Sequence, residues 1–144
     1  MKIVDANLLL YAIDARSPRH EAAHAWLERQ LSGDETIAFA WVVLLAFVRL
    51  STNPHVFARL LSPDRAFDVV ARWLAQACVV IVHPGNRHAA VVRQLLGPLG
   101  TAGNLVTDAH LAALAVEHGA ELNSCDADFS RFSGLRWINP LDSR

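Results

Sequence analysis

The sequence predicts an α/β protein with a mainly parallel sheet of four to five strands and helices on both faces. Short runs rich in β-branched residues alternate along the chain with longer amphipathic segments. Capping residues, proline and glycine separate the two kinds of segment. The length of 144 residues suits one compact unit, so we expect a single domain spanning residues 1–144.

The first predicted strand is short and apolar, and it ends in a carboxylate. Ile3 and Val4 form the apolar run, and Asp5 follows them. We expect Asn7 to cap the helix that comes next. Ligands of open parallel sheets bind at the carboxyl ends of the strands. Asp5 is therefore either a turn residue or one wall of a site.

The later elements continue this alternation. Ser17-Pro18 and Ser62-Pro63 each place a capping residue before a proline at the first helical position, which predicts two helices ending near Gly33 and Ala77. Further helices are predicted at 41–50, 87–96 and 105–118. Further strands are predicted at 36–40, 79–82, 120–124 and 136–138.

Composition narrows the classes of protein that fit. Hydrophobic residues make up 53% of the chain and the mean hydropathy is +0.24, but a charged residue or proline interrupts each apolar run. We therefore expect no membrane span, no signal peptide and a cytoplasmic location. The surplus of apolar side chains favours a protein partner or a dimer face. Cys78 and Cys125 lack metal spacing and are interpreted as buried thiols without a disulfide.

Four aspartates follow predicted strands or begin a predicted helix. Asp5 ends the first strand, Asp126 and Asp128 follow the fourth, and Asp108 lies in the first turn of the helix before that strand. Two carboxylates about 5 Å apart repel by roughly 3 kcal/mol at an effective dielectric near 20, so a cluster needs protons or a cation. Oxygen ligands favour Mg²⁺ or Mn²⁺. Alternatively, Asp108 is an ordinary helix-start acid and the other two belong to turns.

The remaining polar and aromatic candidates have simpler interpretations. His110 is expected on the surface of its helix. Asp34, Asp64 and Asp68 are interpreted as helix-start or loop acids. Solvated charges are expected at Glu21, Glu28, Glu117 and Glu121. Core positions are expected for Trp26, Trp41, Trp73 and Trp137.

Four stretches resemble PIN-domain nucleases, especially VapC-type ribonuclease toxins of toxin–antitoxin pairs. They are IVDANLLLYA at 3–12, NLVTDAHLAALA at 104–115, SCDADFSRF at 124–132 and GLRWINPL at 134–141. The stretches occur in the family's order and together span nearly the whole chain. The resemblance implies a PIN-like three-layer sandwich. It also implies a Mg²⁺-dependent endoribonuclease, with Mn²⁺ able to substitute, that hydrolyses phosphodiester bonds in RNA as the toxin of a type II pair.

The same resemblance assigns roles to individual residues. The implied catalytic residues are Asp5, Asp108, Asp126 and Asp128. Asp5 and Asp108 would be the principal metal ligands, and Asp126 would complete the metal set and help to position the hydrolytic water. Asp128 would have a supporting role. Asn7 and Ser124 would orient the carboxylates through hydrogen bonds.

The resemblance also implies binding partners. These are the RNA substrate, a small cognate antitoxin and a second copy of the chain in a homodimer. The apolar segment 56–74, expected to form two consecutive helices, would build a groove for the tail of the antitoxin.

One position departs from the family pattern. The family usually has a Glu in the helix after the second strand, and Ala46 stands at that position here. No Asp or Glu occurs from residue 36 to residue 63 that could replace it. We therefore expect one well-occupied metal in place of two. The alternative is a catalytically weak or silent PIN-like interaction module.

Overall fold

The computed structural model describes residues 1–142, and within them five parallel strands form one sheet in the order β3-β2-β1-β4-β5. The strands are β1 (Lys2–Val4), β2 (Ile37–Phe39), β3 (Val79–Ile81), β4 (Glu121–Asn123) and β5 (Trp137–Ile138). The helices are α1 (Ala6–Ile13), α2 (His20–Leu31), α3 (Trp41–Ser51), α4 (Pro63–Leu74), α5 (His88–Leu96) and α6 (Leu105–Glu117). Two 3-10 helices cover Gly97–Leu99 and Ala127–Arg131. The predicted α/β class and parallel sheet are confirmed.

Strand β1 lies at the centre of the sheet and sets the level at which the strands end. Ile3 pairs with Ala38 of β2 on one side and with Leu122 of β4 on the other. Ile3 and Val4 have no solvent exposure, as expected for a strand covered on both faces. Because all strands are parallel, the residues that follow β1, β2 and β4 emerge at the same edge of the sheet.

An aromatic cluster fastens α3 and α4 to the sheet. The ring of Phe47 meets the edge of Trp73 at a centroid distance of 4.8 Å, and the Phe39 and Trp73 rings stack at 6.1 Å. Phe39 and Phe47 are completely buried. Such offset and edge-on contacts stabilise aromatic packing beyond the burial of area alone. The nearly uninterrupted apolar run at 41–50 therefore forms a helix with one face in the core.

The starts of α1 and α2 differ from the predictions. Asp5, and not Asn7, is the N-cap of α1, since its side chain accepts a hydrogen bond from the backbone N–H of Ala6. Helix α2 begins at His20, because the Ser17 hydroxyl accepts from the Arg19 N–H within a preceding turn. Both differences arise because a short polar side chain can cap either a helix or a turn.

The segment 56–74 does not form two helices. Only Pro63–Leu74 is helical, begun as predicted by Ser62, whose hydroxyl accepts from the Arg65 N–H at 3.2 Å. Residues 52–62 form turns and irregular backbone. Phe57 lies buried beneath these turns, whereas Val56 and Leu60 are about half exposed. The prediction of two consecutive helices over 56–74 is therefore wrong, and the proposed antitoxin groove stays a prediction.

No helix of residues 1–142 has the length and apolar character needed to cross a membrane. Cys78 and Cys125 are free thiols, each half-buried. The Cys78 thiol donates to the Leu31 carbonyl at 3.3 Å, so it belongs to the packing between α2 and β3.

Candidate active site

Asp5 is held by three donors at the carboxyl end of β1. Its Oδ1 accepts from the Ala6 N–H at 2.7 Å, and its Oδ2 accepts from the Ser124 hydroxyl at 2.7 Å and from Asn7 Nδ2 at 3.3 Å. Burial raises the pKa of the Asp5 carboxyl, and the bonds from Ser124 and Ala6 oppose this rise. The carboxylate has a fixed orientation in a partly desolvated position.

The Ser124 hydroxyl joins the end of β1 to the end of β4. It donates to Asp5 and accepts from Asn7 Nδ2 at 3.0 Å and from the Asp126 N–H at 3.0 Å. Ser124 is completely buried. Asn7 completes the connection by accepting from the Cys125 N–H at 3.2 Å. Every polar atom of this arrangement has a partner, which fixes its geometry.

Three further carboxylates converge beside Asp5. Asp126 caps the 3-10 helix Ala127–Arg131 by accepting from the Asp128 N–H at 2.9 Å, and Asp108 lies in the first turn of α6. One oxygen each from Asp108, Asp126 and Asp128 lies within 4.8 Å of the other two. We call these three residues the carboxylate triad, and the triad with Asp5 the acidic cluster.

The electrostatics of the acidic cluster show the cost of bringing the carboxylates together. Burial, followed by the negative charges of Asp126, Asp5 and Asp128 in that order, raises the pKa of Asp108 to about 6. In the absence of a cation, Asp108 therefore holds a proton at mildly acidic pH. A bound cation would remove this preference for the protonated form.

The donor set of the carboxylate triad fits a hard divalent cation. All three side chains offer carboxylate oxygen, which Mg²⁺ and Mn²⁺ prefer, and the triad contains neither sulfur nor imidazole. Asp108 and Asp126 are half-buried and Asp128 is exposed, so solvent reaches the site and water can fill the remaining coordination positions. Three carboxylates at this separation also balance the charge of one such ion better than that of two.

The structure brings together all the site residues that the sequence singled out, in a different arrangement. Asp128 belongs to the carboxylate triad. Asp5 lies next to the triad, and both of its carboxylate oxygens accept hydrogen bonds. Asn7 and Ser124 contact Asp5 directly. The set of metal ligands implied by the resemblance, Asp5 with Asp108 and Asp126, is thus not the set with the closest oxygens.

Two interpretations of single residues are wrong. Glu117 is not a solvated charge, because its Oε2 lies 2.6 Å from His88 Nδ1 and its Oε1 accepts from the Gly85 N–H at 3.2 Å. His110 is not simply on the helix surface, since its Nδ1 lies 2.7 Å from His88 Nε2. The signal available in the sequence was the spacing of His110 and Glu117, seven residues apart on one face of α6.

The tryptophans divide into two groups. Trp26 and Trp73 are buried as expected, and Trp137 is half-buried, with its indole N–H donating to the Ser124 carbonyl at 3.0 Å. Trp41 is 42% exposed, so its expected place in the core is wrong. Trp41 is the first residue of α3, which follows β2 at the same edge of the sheet as Asp5.

These features define an α/β protein with a cation-compatible carboxylate site at the carboxyl edge of a five-stranded parallel sheet. Residues 2–135 match the family model of the PIN domain. The chain belongs to the PIN domain family.

Relatives of known name align over nearly the full chain. Ribonuclease VapC37 of Mycobacterium tuberculosis is 52% identical over 140 residues, which is 97% of each chain. Ribonuclease VapC33 of the same species is 41% identical over 141 residues, covering 98% of this chain and 99% of the relative. At these identities, the chain groups with the PIN-domain proteins that are named VapC.

Solved structures share the fold at low sequence identity. VapBC2 from Rickettsia felis, bound to a DNA fragment from its promoter, matches with a TM-score of 0.70 at 19% identity over 96% of this chain and 97% of the other. Mycobacterium tuberculosis VapC20, described as a sarcin–ricin loop cleaving toxin, matches with a TM-score of 0.62 at 20% identity over 94% and 99%. At these identities the structures support the fold alone.

The pKa of Asp108 leads to a prediction about stability. The pKa of Asp108 rises from 3.8 to about 6 on folding, so the folded chain binds this proton more tightly than the unfolded chain does. Ionisation of Asp108 therefore lowers the free energy of unfolding as pH rises between these two values. Asp108→Asn should remove the contribution. In a metal chelator, the thermal midpoint of the variant should exceed that of the parent by a margin that grows between these two pH values and then levels off.

Asp68→Asn supplies the control, since Asp68 is exposed on α4 and the change of charge is the same. The difference in thermal midpoint between Asp68→Asn and the parent should stay constant across this pH range. A margin for Asp108→Asn that stays constant across the window would contradict the electrostatic account of the cluster.

Proposed function

We propose that this protein is a metal-dependent endoribonuclease that hydrolyses phosphodiester bonds in RNA, acting as the toxin of a type II toxin–antitoxin pair. The observation that carries the proposal is the carboxylate triad at the carboxyl edge of the sheet, with Asp5 fixed beside it. Relatives named ribonucleases, at 52% and 41% identity over nearly the whole chain, support RNA as the substrate.

Mg²⁺ is the proposed cofactor, and Mn²⁺ can substitute because both are hard octahedral ions. Asp108, Asp126 and Asp128 would hold the ion, and Asp5 would complete the acidic cluster around it. When bound, such an ion lowers the pKa of a coordinated water and stabilises negative charge on a phosphate. The chain's own part is to keep Asp5 and Asp126 in place through the Ser124 hydroxyl, and to release the Asp108 proton as the cation binds.

The proposed partners are RNA, a small cognate antitoxin and a second copy of the chain. Val56, Leu60 and Phe67 are each about half exposed and lie before or on α4, where they offer an apolar surface to an antitoxin. The homodimer remains a prediction. Trp41 and Leu45, one turn apart on α3 and both more than 40% exposed, are the apolar residues best placed to serve it.

Ala46 favours a second candidate function, a catalytically weak or silent PIN-like interaction module. Ala46 is half-buried on α3 and packs against the core. Without a carboxylate at this position, the acidic cluster has only its four aspartates to balance the charge of bound cations. The carboxylate triad favours the enzyme, because its donor set fits the divalent cation that the proposed hydrolysis uses.

The enzyme proposal predicts that cleavage depends on the triad. With Mg²⁺ and a structured RNA, Asp108→Asn and Asp126→Asn should each lower the rate of cleavage by roughly a hundredfold or more, because each removes a charged ligand. Ser124→Ala should cost about tenfold to a hundredfold by releasing Asp5. Asp68→Asn is the control on an exposed helix and should keep the parent rate. Equal rates for the parent and both triad variants would contradict the proposal.

The Ala46 position predicts the stoichiometry of metal binding. Calorimetric titration with Mn²⁺ should find one site in the parent, since four aspartates poorly balance two divalent ions. Ala46→Glu should tighten binding by about tenfold or add a second weak site, whereas Ala46→Gln, of the same size without charge, should do neither. Two tight Mn²⁺ ions in the parent without RNA would show that the ligand set is larger than the acidic cluster.

A further inference from the structure

The peptide group between Ser124 and Cys125 is held from both sides. Its carbonyl oxygen accepts from the indole N–H of Trp137 on β5 at 3.0 Å. Its N–H donates to the side-chain oxygen of Asn7 at 3.2 Å. The same Asn7 amide donates to Asp5 and to the Ser124 hydroxyl. One peptide plane therefore connects the edge strand β5 to the carboxylate at the end of β1.

The indole takes the place of a backbone donor that the sequence removes. The Ser124 N–H donates to the Ile138 carbonyl at 3.1 Å, so the pairing of β4 with β5 extends to this level. In a parallel pair, the next bond would run to the Ser124 carbonyl from the N–H of residue 140. That residue is Pro140, which has no N–H. Ser124 is completely buried and its carbonyl cannot turn to water, so Trp137 supplies the donor.

The carboxylate triad depends on the position of this peptide group. Asp126 follows two residues after Ser124, and its N–H donates to the Ser124 hydroxyl at 3.0 Å. Asp126 in turn accepts from the Asp128 N–H at 2.9 Å. Strand β5 has only two residues, so few ladder bonds attach this turn to the sheet. A rotation of the peptide after Ser124 would move Asp126 and Asp128 relative to Asp108, which belongs to α6.

We propose that Trp137 is a positioning residue of the metal site, whose indole N–H fixes the peptide after Ser124 and so holds the carboxylate triad in the geometry that a divalent cation needs. This inference rests on the proposed function, because it takes a divalent cation as the ligand of the triad. Trp137 acts through Ser124. Outer hydrogen-bond partners of this kind orient metal ligands, and their loss weakens metal binding.

Packing alone is the competing role for Trp137. Its ring is half-buried and lies against the core, so removal of the whole side chain would change packing and hydrogen bonding together. The decisive variant therefore replaces Trp137 by 3-benzothienylalanine, which keeps nearly the same shape and carries sulfur in place of the indole N–H. Cys125 allows this replacement without any other change, because a synthetic peptide of residues 125–144 can be joined by native chemical ligation to residues 1–124.

The experiment compares this variant with a parent chain assembled by the same ligation. Trp137→Phe and Trp73→Phe are made as recombinant proteins beside the recombinant parent. Trp73 is buried on α4 against Phe39 and Phe47, so its variant disturbs core packing on other elements. Calorimetry well below the thermal midpoint gives the dissociation constant for Mn²⁺. Thermal melts in a chelator give the midpoint, and NMR gives the solvent exchange of each indole N–H without metal.

The 3-benzothienylalanine variant and Trp137→Phe should each bind Mn²⁺ about tenfold more weakly than their parents, as expected when an outer hydrogen bond to a ligand segment is lost. Their thermal midpoints should fall by only about 5 °C, because one hydrogen bond is missing. Trp73→Phe should lower the midpoint at least as much and keep the Mn²⁺ dissociation constant of the parent. The Trp137 indole N–H should exchange more slowly than that of Trp41, which is 42% exposed.

The inference is overturned if the 3-benzothienylalanine variant binds Mn²⁺ as tightly as the ligated parent. Equal losses of affinity in Trp137→Phe and Trp73→Phe would also overturn it, since metal binding would then follow general stability. If the ligated variant does not fold, Trp137→Phe decides by the same comparison.

The result can be separated from that of the proposed function. Unchanged Mn²⁺ affinity in both Trp137 variants, with RNA cleavage that needs Asp108, rejects the positioning role alone. Weaker Mn²⁺ binding in both variants, with a parent that cleaves no RNA, keeps the positioning role and rejects the nuclease. A parent that binds no Mn²⁺ rejects both.

Discussion

The repulsion among four aspartates is the constraint on which the site depends. Three parts of the chain bring in the four carboxylates: the end of β1, the first turn of α6, and the turn after β4, which carries both Asp126 and Asp128. Hydrogen bonds around the Ser124 hydroxyl hold two of these parts together. Burial, and then the charges of the neighbouring aspartates, raise the pKa of Asp108. A divalent cation removes this repulsion, which connects the fold to the proposed chemistry.

The parallel sheet makes this gathering possible with very short strands. Three residues of β1 and three of β4 suffice, because their pairing brings Asp5 and Ser124 to the same level. The buried aromatic contacts of Phe39, Phe47 and Trp73 lie in the part of the core between the sheet, α3 and α4.

The sequence predicts the strand ends well and the contacts between distant residues poorly. The alternation of elements predicts that Asp5 and Asp126 each follow a strand and that Asp108 begins a helix, but it does not decide whether the three carboxylates meet. It could not show that Asn7 turns toward Ser124, 117 residues away, because local propensity favours Asn as a cap. The same limit applies to Glu117, whose partner His88 lies on another helix.

The most direct test is to locate the metal in crystals of the protein grown with Mn²⁺, using anomalous scattering. The account predicts one strong peak coordinated by carboxylate oxygens of Asp108, Asp126 and Asp128, with Asp5 still accepting from Ser124. A peak away from these residues, or no peak at millimolar Mn²⁺, would contradict the claim that the acidic cluster is built to hold a cation.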